Sequence, residues 1–204
     1  CDYYKKKYNR SIDYVSFGAN LLDPKMEYDV TKYDLINNKY FLFVGIFRPE
    51  KNVDLLINAF NQAETDDFKL VLIGDDPINP EYVEYIHSLQ TDKIIFLGRI
   101  YGDDYVKISA NAYCYISASE VEGTSPALVS AMGFKTPVLV SNINENLETI
   151  GNNGTTFKNK NKFDLIKKIQ FVINRPEKMK DLSIKAFEMV KQKYTWDKTA
   201  DRLY

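Results

Sequence analysis

Hydrophobic and polar positions follow two alternating periods along most of the chain. Continuous apolar runs of strand length, as in KYFLFVGIF at 39–47, are typical of parallel strands covered on both faces. Between such runs, apolar residues recur at helical spacing, as at Val53, Leu56, Ile57 and Phe60. The order of strand, loop and helix repeats through KLVLIG, PEYVEYIHSLQ, KIIFLG, GDDYVKISANA, YCYISAS, PALVSAMG and PVLVS. This pattern predicts a Rossmann-like α/β fold with a doubly wound parallel sheet.

The alternation covers only part of the chain. TTF predicts a short last strand, and the segments FDLIKKIQFVINR, PEKMKDLSIKAFEMVKQKY and WDKTADRLY predict a helical C-terminal tail. Asn52 is placed to cap the first helix of the domain. We therefore expect three regions: residues 1–22 outside the sheet, a polar linker at 23–38, and an α/β domain at 39–204.

Composition limits the classes of function. With 27 basic and 28 acidic residues among 204, the net charge of -1 provides no global field for nucleic acid or an anionic membrane. Cys1 and Cys114 suit a reduced cytoplasmic protein better than a disulfide scaffold, and no metal-ligand spacing is present. No apolar run approaches the roughly 20 residues that span a bilayer. The polar, tyrosine-rich opening predicts a piece of a longer protein.

The loops after the strands are the first places to look for a site, because ligands of open α/β sheets bind beyond the carboxyl ends of the strands. The first such loop has the sequence GIFRPEKN. The chain leaves the strand at Gly45, and Arg48 and Lys51 follow before a helix. These cations could hold a phosphate, or they could be solvated loop charges.

A second loop, SASEVEGTSPALVSAMG, carries two carboxylates, Glu120 and Glu122, and enters a helix at about Pro126. The three residues before the proline are Gly123, Thr124 and Ser125. Backbone N–H groups at such a helix start form an anion site that a diphosphate would fit. The glutamates suit sugar hydroxyls or backbone N–H groups, or they complement the helix dipole. The loop therefore favours a phosphorylated, polyhydroxylated ligand.

Together these segments resemble the C-terminal, donor-binding domain of the family 4 glycosyltransferases of GT-B form, over residues 39–204. The resemblance rests on GIFRPEKNVDLLINAF, KLVLIG, KIIFLGRI, EVEGTSPALVSAMGFKTPVLVS, NENLETIGNNGTTF and YTWDKTADRLY. It implies transfer of a glycosyl group from a nucleoside diphosphate sugar to a hydroxyl acceptor. It also implies retained anomeric configuration and no cofactor or metal beyond the donor.

The resemblance assigns roles to individual residues. Lys51 would neutralise phosphate charge and Glu122 would orient the sugar, which makes these two the catalytic candidates. Arg99 would lie near the nucleotide. The other implied donor-binding positions are Gly45, Arg48, Glu120, Gly123, Thr124, Ser125 and Ser130.

Two positions depart from the family pattern. Ser130 stands where the family has a second glutamate, eight residues after Glu122, that holds the donor ribose. Ile46 stands where the family has an arginine, for which nearby Arg48 could substitute if the loop curls back. The EVEGTSPAL motif is most similar to a bacterial branch with rhamnosyltransferases of surface polysaccharide synthesis, which implies deoxysugar donors.

The resemblance also extends to partners. Residues 1–22 look like a remnant of the N-terminal, acceptor-binding domain, followed by the interdomain linker. The implied partners are a nucleotide-sugar donor, a carbohydrate or lipid-linked acceptor, and the rest of the N-terminal domain, without which the fragment would be inactive. The implied location is cytoplasmic, with peripheral association at the inner face of the cell membrane through the other half.

Two alternatives remain open at this point. A nucleotide-sugar epimerase of GT-B form would need groups for proton transfer, for which the donor loops offer only Glu120 and Glu122. A non-catalytic binding subunit would explain Ser130 and Ile46. A dinucleotide oxidoreductase is disfavoured because no G-x-G-x-x-G follows a strand.

Two further residue types are assigned to packing. His87, the only histidine, falls on a helix flank and is not a catalytic candidate. Tyr113 and Tyr115 alternate within a strand, which favours packing over ligand binding.

Overall fold

The computed structural model describes residues 2–10, 15–22 and 29–202. Within these ranges the strands are β1 (Tyr40–Val44), β2 (Lys69–Ile73), β3 (Ile94–Gly98), β4 (Cys114–Ser117), β5 (Val138–Ser141) and β6 (Thr155–Phe157). The helices are α1 (Asp2–Tyr8), α2 (Val53–Gln62), α3 (Pro80–Ser88), α4 (Gly102–Ala110), α5 (Pro126–Gly133), α6 (Asn144–Ile150), α7 (Lys162–Ile173), α8 (Pro176–Lys193) and α9 (Trp196–Ala200). Single 3-10 turns lie at Thr31–Tyr33 and Pro49–Lys51.

All six of these strands are parallel, in the order β3-β2-β1-β4-β5-β6. The chain winds outward from β1 to β3, crosses to β4 on the other side of β1, and winds outward again. The order therefore reverses between β1 and β4, and this switch point opens a crevice at the carboxyl edge of the sheet. The prediction of a Rossmann-like, doubly wound parallel sheet with a helical C-terminal tail is confirmed.

Apolar clusters cover both faces of the sheet, as the continuous apolar strands require. Phe41 and Phe43 of β1 point to one face, where α2 supplies Leu56 and Phe60 and α7 supplies Ile169. Tyr40 and Leu42 point to the opposite face, toward α4. The side chains of β1 thus alternate between two cores rather than between core and solvent.

The segments before β1 pack onto the domain. Ala19 forms a parallel bridge with Thr195, and the N–H of Leu22 donates to the carbonyl of Gly133 at 2.9 Å. Val30 and Leu35 are buried against β1 and β2. Residues 15–22 and 29–38 are therefore part of the packed surface of the α/β domain.

The division of the chain into residues 1–22, 23–38 and 39–204 stays a prediction. Cys1 and residues 23–28 of the expected linker lie outside the described residues. Among the helices that the structure describes, none is both long and apolar enough to cross a membrane.

The short helix α6, after β5, was not predicted from the apolar pattern. Its buried residues are Asn146, Thr149 and Ile150, of which only one is apolar. Asn146 is buried because its amide donates to the Ser141 carbonyl at 3.1 Å. A helix buried mainly through polar side chains leaves no apolar period in the sequence.

Candidate functional site

Two cavities occupy the crevice at the switch point. One, of about 330 Å³, lies beyond β1, β2 and β3 and is lined by residues that include Gly74, Arg99 and Tyr101. The other, of about 260 Å³, lies beyond β1 and β4 and is lined by Lys51, Tyr115, Glu122 and Ser125 among others. The cavities adjoin because residues 44–46 line both. A ligand of two linked parts could place one part in each.

The central ion pair of the crevice joins two loops that are distant in sequence. Lys51 Nζ donates to Glu122 Oε1 at 2.7 Å, with only 19% and 12% of the two side chains exposed. Lys51 ends the 3-10 turn after β1, and Glu122 lies between β4 and α5. Because both charges are shielded from water, their interaction is stronger than that of a surface pair.

A second set of hydrogen bonds between loops, centred on Glu120, lies beside the Lys51–Glu122 pair. Asn52 Nδ2 donates to Glu120 Oε1 and to the carbonyl of Ala118, both at 3.0 Å. Lys160 Nζ, from the loop after β6, donates to Glu120 Oε2 at 2.5 Å. These hydrogen bonds, first that of Lys160 and then that of Asn52, lower the pKa of the Glu120 carboxyl. Glu120 is therefore held ionised.

Asn52 does not cap α2, so the predicted capping role is wrong. It occupies the cap position, but its φ of 50° is left-handed and its side chain makes no cap hydrogen bond. A capping side chain normally stands on extended backbone, from which it can reach the free N–H groups of the first turn. The left-handed geometry instead directs the amide across the crevice to the loop after β4.

The N-terminus of α5 faces the second cavity. Pro126 begins the helix as predicted, and the Ser125 hydroxyl accepts from the Leu128 N–H at 3.4 Å. No atom lies within 4 Å of the Cβ that a side chain at Gly123 would add. Open space therefore lies beside Gly123, and Ser125, Pro126 and Ala127 line the cavity that contains Lys51.

Tyr115 lines the second cavity, although the sequence assigned it to packing. Its side chain is buried on the α5 face of the sheet, and burial, with a contribution from the Glu122 carboxylate, raises the pKa of the hydroxyl. The hydroxyl therefore stays protonated. The available signal was its position two residues before Ser117 on β4, which places both side chains on one face.

The remaining predicted residues are distributed around the crevice. Arg99 lines the first cavity and pairs with Asp75 at 3.6 Å. Ser130 lines a separate cavity of about 330 Å³ between α4, α5 and Trp196. Arg48 lines neither crevice cavity: its Nε donates to Asp76 Oδ2 at 3.1 Å. The structure therefore brings Lys51, Glu122 and Ser125 to one cavity and leaves Arg48 and Ser130 outside it.

Replacing Arg48 by alanine should lower stability more than nucleotide affinity. The Asp76 side chain is only 1% exposed and would lose its charged partner, which costs about 1–3 kcal/mol after allowance for the exposure of Arg48. Thermal unfolding measures the loss, and the double variant Arg48→Ala/Asp76→Asn should recover part of it. A stable Arg48→Ala variant with tenfold weaker nucleotide binding would instead place Arg48 on the phosphate.

The order of the parallel strands and the crevice at the switch point define a Rossmann-like α/β domain, a fold in which ligands bind at this crevice. The family model described as "Glycosyl transferases group 1" matches residues 32–189. The chain therefore belongs to the group 1 glycosyltransferases.

Similar proteins agree with this assignment. An uncharacterized glycosyltransferase of Methanocaldococcus jannaschii is 31% identical over 159 residues, which cover 77% of this chain and 44% of that protein. The D-rhamnosyltransferase WbpZ of Pseudomonas aeruginosa is 26% identical over 120 residues, 58% of this chain and 31% of that protein. The chain spans less than half the length of these relatives.

The fold also matches solved structures of GT-B glycosyltransferases. Anabaena HepE in complex with UDP superposes with a TM-score of 0.76 at 19% identity, over 85% of this chain and 49% of that one. The likeness confirms the GT-B type of Rossmann-like domain.

Proposed function

We propose that this chain is the donor-binding half of a glycosyltransferase that moves a sugar from a nucleoside diphosphate sugar to a hydroxyl acceptor. The observation that carries the proposal is the shielded Lys51–Glu122 pair, which stands in the second cavity together with the N-terminus of α5. A cation and backbone N–H groups at the start of a helix suit a diphosphate, and a carboxylate suits sugar hydroxyls.

The two cavities suggest how the parts of a nucleotide-sugar donor would be placed. Arg99 and Tyr101 border the first, where a nucleoside would lie, and the diphosphate would pass residues 44–46 to reach Lys51 and α5. Lys51 and the N–H groups at 123–125 would neutralise charge as the diphosphate leaves, and Glu122 would orient the sugar. Glu120 would bind sugar hydroxyls beside Glu122. The Tyr115 hydroxyl would add an uncharged hydrogen-bond donor to the site.

We further propose a reaction with retained configuration that uses no metal, in the synthesis of a cell-surface polysaccharide or glycoconjugate. The EVEGTSPAL motif and the similarity to a D-rhamnosyltransferase support a deoxyhexose or hexose donor, and the UDP complex of HepE makes UDP the first nucleotide to test. The acceptor, a carbohydrate or a lipid-linked saccharide, would be held mainly by an N-terminal half. That half would also supply any contact with the inner face of the membrane, and this chain alone would not catalyse transfer.

Titration of this chain with UDP, GDP and dTDP by calorimetry tests the proposal. One nucleotide should bind saturably, and Thr124→Pro should weaken it about 5- to 30-fold, because proline removes one N–H at the start of α5. Thr124→Ser, which keeps both the N–H and a hydroxyl at the same position, is the control for a local change. No binding of any nucleotide by the folded chain would reject the proposed donor site.

Ser130 supports a second candidate function, that of a non-catalytic binding subunit. The residue that should meet the ribose lines a different cavity, beside Tyr105 and Trp196. Such a subunit would not catalyse transfer even when joined to its N-terminal half. Nucleotide binding by the chain without sugar transfer by the longer protein would therefore favour this candidate.

A further inference from the structure

Three loops meet at the Glu120 carboxylate. Asn52 comes from the loop after β1, Lys160 from the loop after β6, and Glu120 itself from the loop after β4. The backbone N–H of Glu120 also donates to the carbonyl of Glu50 at 2.9 Å. Lys160 lies on a third loop, separate from the loop that carries Lys51 and from the loop that carries Glu122.

Both side chains that donate to Glu120 stand on left-handed backbone. Asn52 has a φ of 50° and Lys160 a φ of 59°. Asparagine tolerates this region, but for lysine it costs about 1–2 kcal/mol. A strained conformation persists only where the surrounding structure holds it, and such positions cluster at ligand sites.

The loop that carries Lys160 is anchored at both ends. The N–H of Asn159 donates to Asn142 Oδ1 at 2.8 Å, and Asn161 Oδ1 caps α7 by accepting from the Asp164 N–H at 2.9 Å. The N–H of Lys158 donates to Asp164 Oδ2 at 2.6 Å. Lys160 therefore reaches Glu120 from a fixed point.

We propose that Lys160 is a positioning residue for the donor site: it holds Glu120, and through Glu120 the segment 118–122, where Glu122 meets Lys51. The inference rests on the proposed function, because that segment is taken to bind the donor. Lys160 touches no donor atom in this scheme. Its effect passes through the carboxylate that also binds Asn52.

The solvent exposure of the Lys160–Glu120 pair determines whether its loss should affect the stability of the domain or the order of one loop. The Lys160 side chain is 64% exposed and that of Glu120 is 25% exposed, so the ion pair adds little to the stability of the whole domain. Its loss should instead loosen one loop that carries part of the site. Melting temperature should hardly change, whereas local order and donor affinity should.

The test compares Lys160→Ala with Lys160→Arg and Lys158→Ala. Lys158→Ala removes the same charge from the same loop and controls for long-range attraction of the diphosphate. UDP, GDP and dTDP are the probes for affinity, and hydrogen exchange of the Glu120 amide reports loop order. We expect Lys160→Ala to weaken binding of the preferred nucleotide about three- to tenfold and to speed exchange at Glu120. Lys160→Arg should restore both, and Lys158→Ala should change neither.

Each other result overturns the inference. Unchanged exchange and affinity in Lys160→Ala would show that Glu120 is held without Lys160, and equal effects of Lys158→Ala would reduce the role of Lys160 to charge alone. If the wild-type chain binds none of the nucleotides, the proposed function fails separately. The exchange rates of Lys160→Ala and Lys160→Arg then still decide whether Lys160 orders the loop.

Discussion

Lys51→Ala is expected to weaken nucleoside diphosphate binding roughly 10- to 100-fold. A charge-assisted hydrogen bond to phosphate stabilises binding by about 1.5–3 kcal/mol, and each 1.4 kcal/mol corresponds to about tenfold in affinity. The Lys51 side chain is only 19% exposed, so solvent and salt screen it less than they would a surface lysine. Calorimetric titration with UDP, GDP and dTDP gives the comparison.

Part of this loss of affinity should come from Glu122, the partner of Lys51, rather than from the missing lysine contact. Without Lys51, the Glu122 carboxylate, which is only 12% exposed in the wild type, faces the incoming diphosphate unneutralised. The double variant Lys51→Ala/Glu122→Gln should therefore bind more tightly than Lys51→Ala alone. Glu122→Gln by itself should keep nucleoside diphosphate affinity but reduce any preference for the nucleotide sugar, since the carboxylate is assigned to the sugar.

Thermal unfolding is the control for this series, because an altered fold would also weaken binding. Lys158→Ala, which removes an exposed charge that lines neither crevice cavity, is the matched control for net charge. Lys51→Ala with unchanged affinity and melting temperature would show that Lys51 does not contact the diphosphate.

The sequence predicted the loops of this site but not the contacts between them. Lys51 and Glu122 were each found because charged residues follow a buried strand at the edge where ligands bind. Their pairing spans 71 positions and depends on β1 lying beside β4. Strand order is a property of the whole sheet, which local periods do not encode.

The direction of individual side chains was the second feature that the sequence did not predict. Asn52 was predicted to cap α2 because its residue type and position fit, but a left-handed φ aims it at Glu120. Tyr115 packs in the core as predicted, but it also lines the cavity, which the sequence did not predict. Lys160 gave no signal in the sequence, because Lys158 and Lys162 of the same KNKNK segment are equally basic. Its left-handed backbone and its pairing with Glu120 distinguish it only in the structure.

Gly74→Ala is expected to destabilise the domain by at least about 3 kcal/mol. A Cβ at this position would lie 1.9 Å from the carbonyl oxygen of Gly45 and 2.9 Å from the ring of Phe47, on backbone with a φ of 151°. No rotamer relieves a clash between Cβ and backbone, and the φ adds strain of about 1–3 kcal/mol. For a domain of this size the melting temperature should fall by roughly 6–12 °C.

The cause of this sensitivity is the close approach of the two loops that leave β1 and β2. Gly74 also donates its N–H to the carbonyl of Gly98 at 2.8 Å, so it cannot move away from Gly45 without breaking the link to β3. Gly123→Ala is the control: its Cβ meets no atom within 4 Å, and stability should change by less than about 0.5 kcal/mol. A Gly74→Ala domain that melts within about 2 °C of the wild type would contradict this geometry. Because Gly45 and Gly74 both line the first cavity, the same close approach that requires glycine also shapes the floor on which a nucleoside would rest.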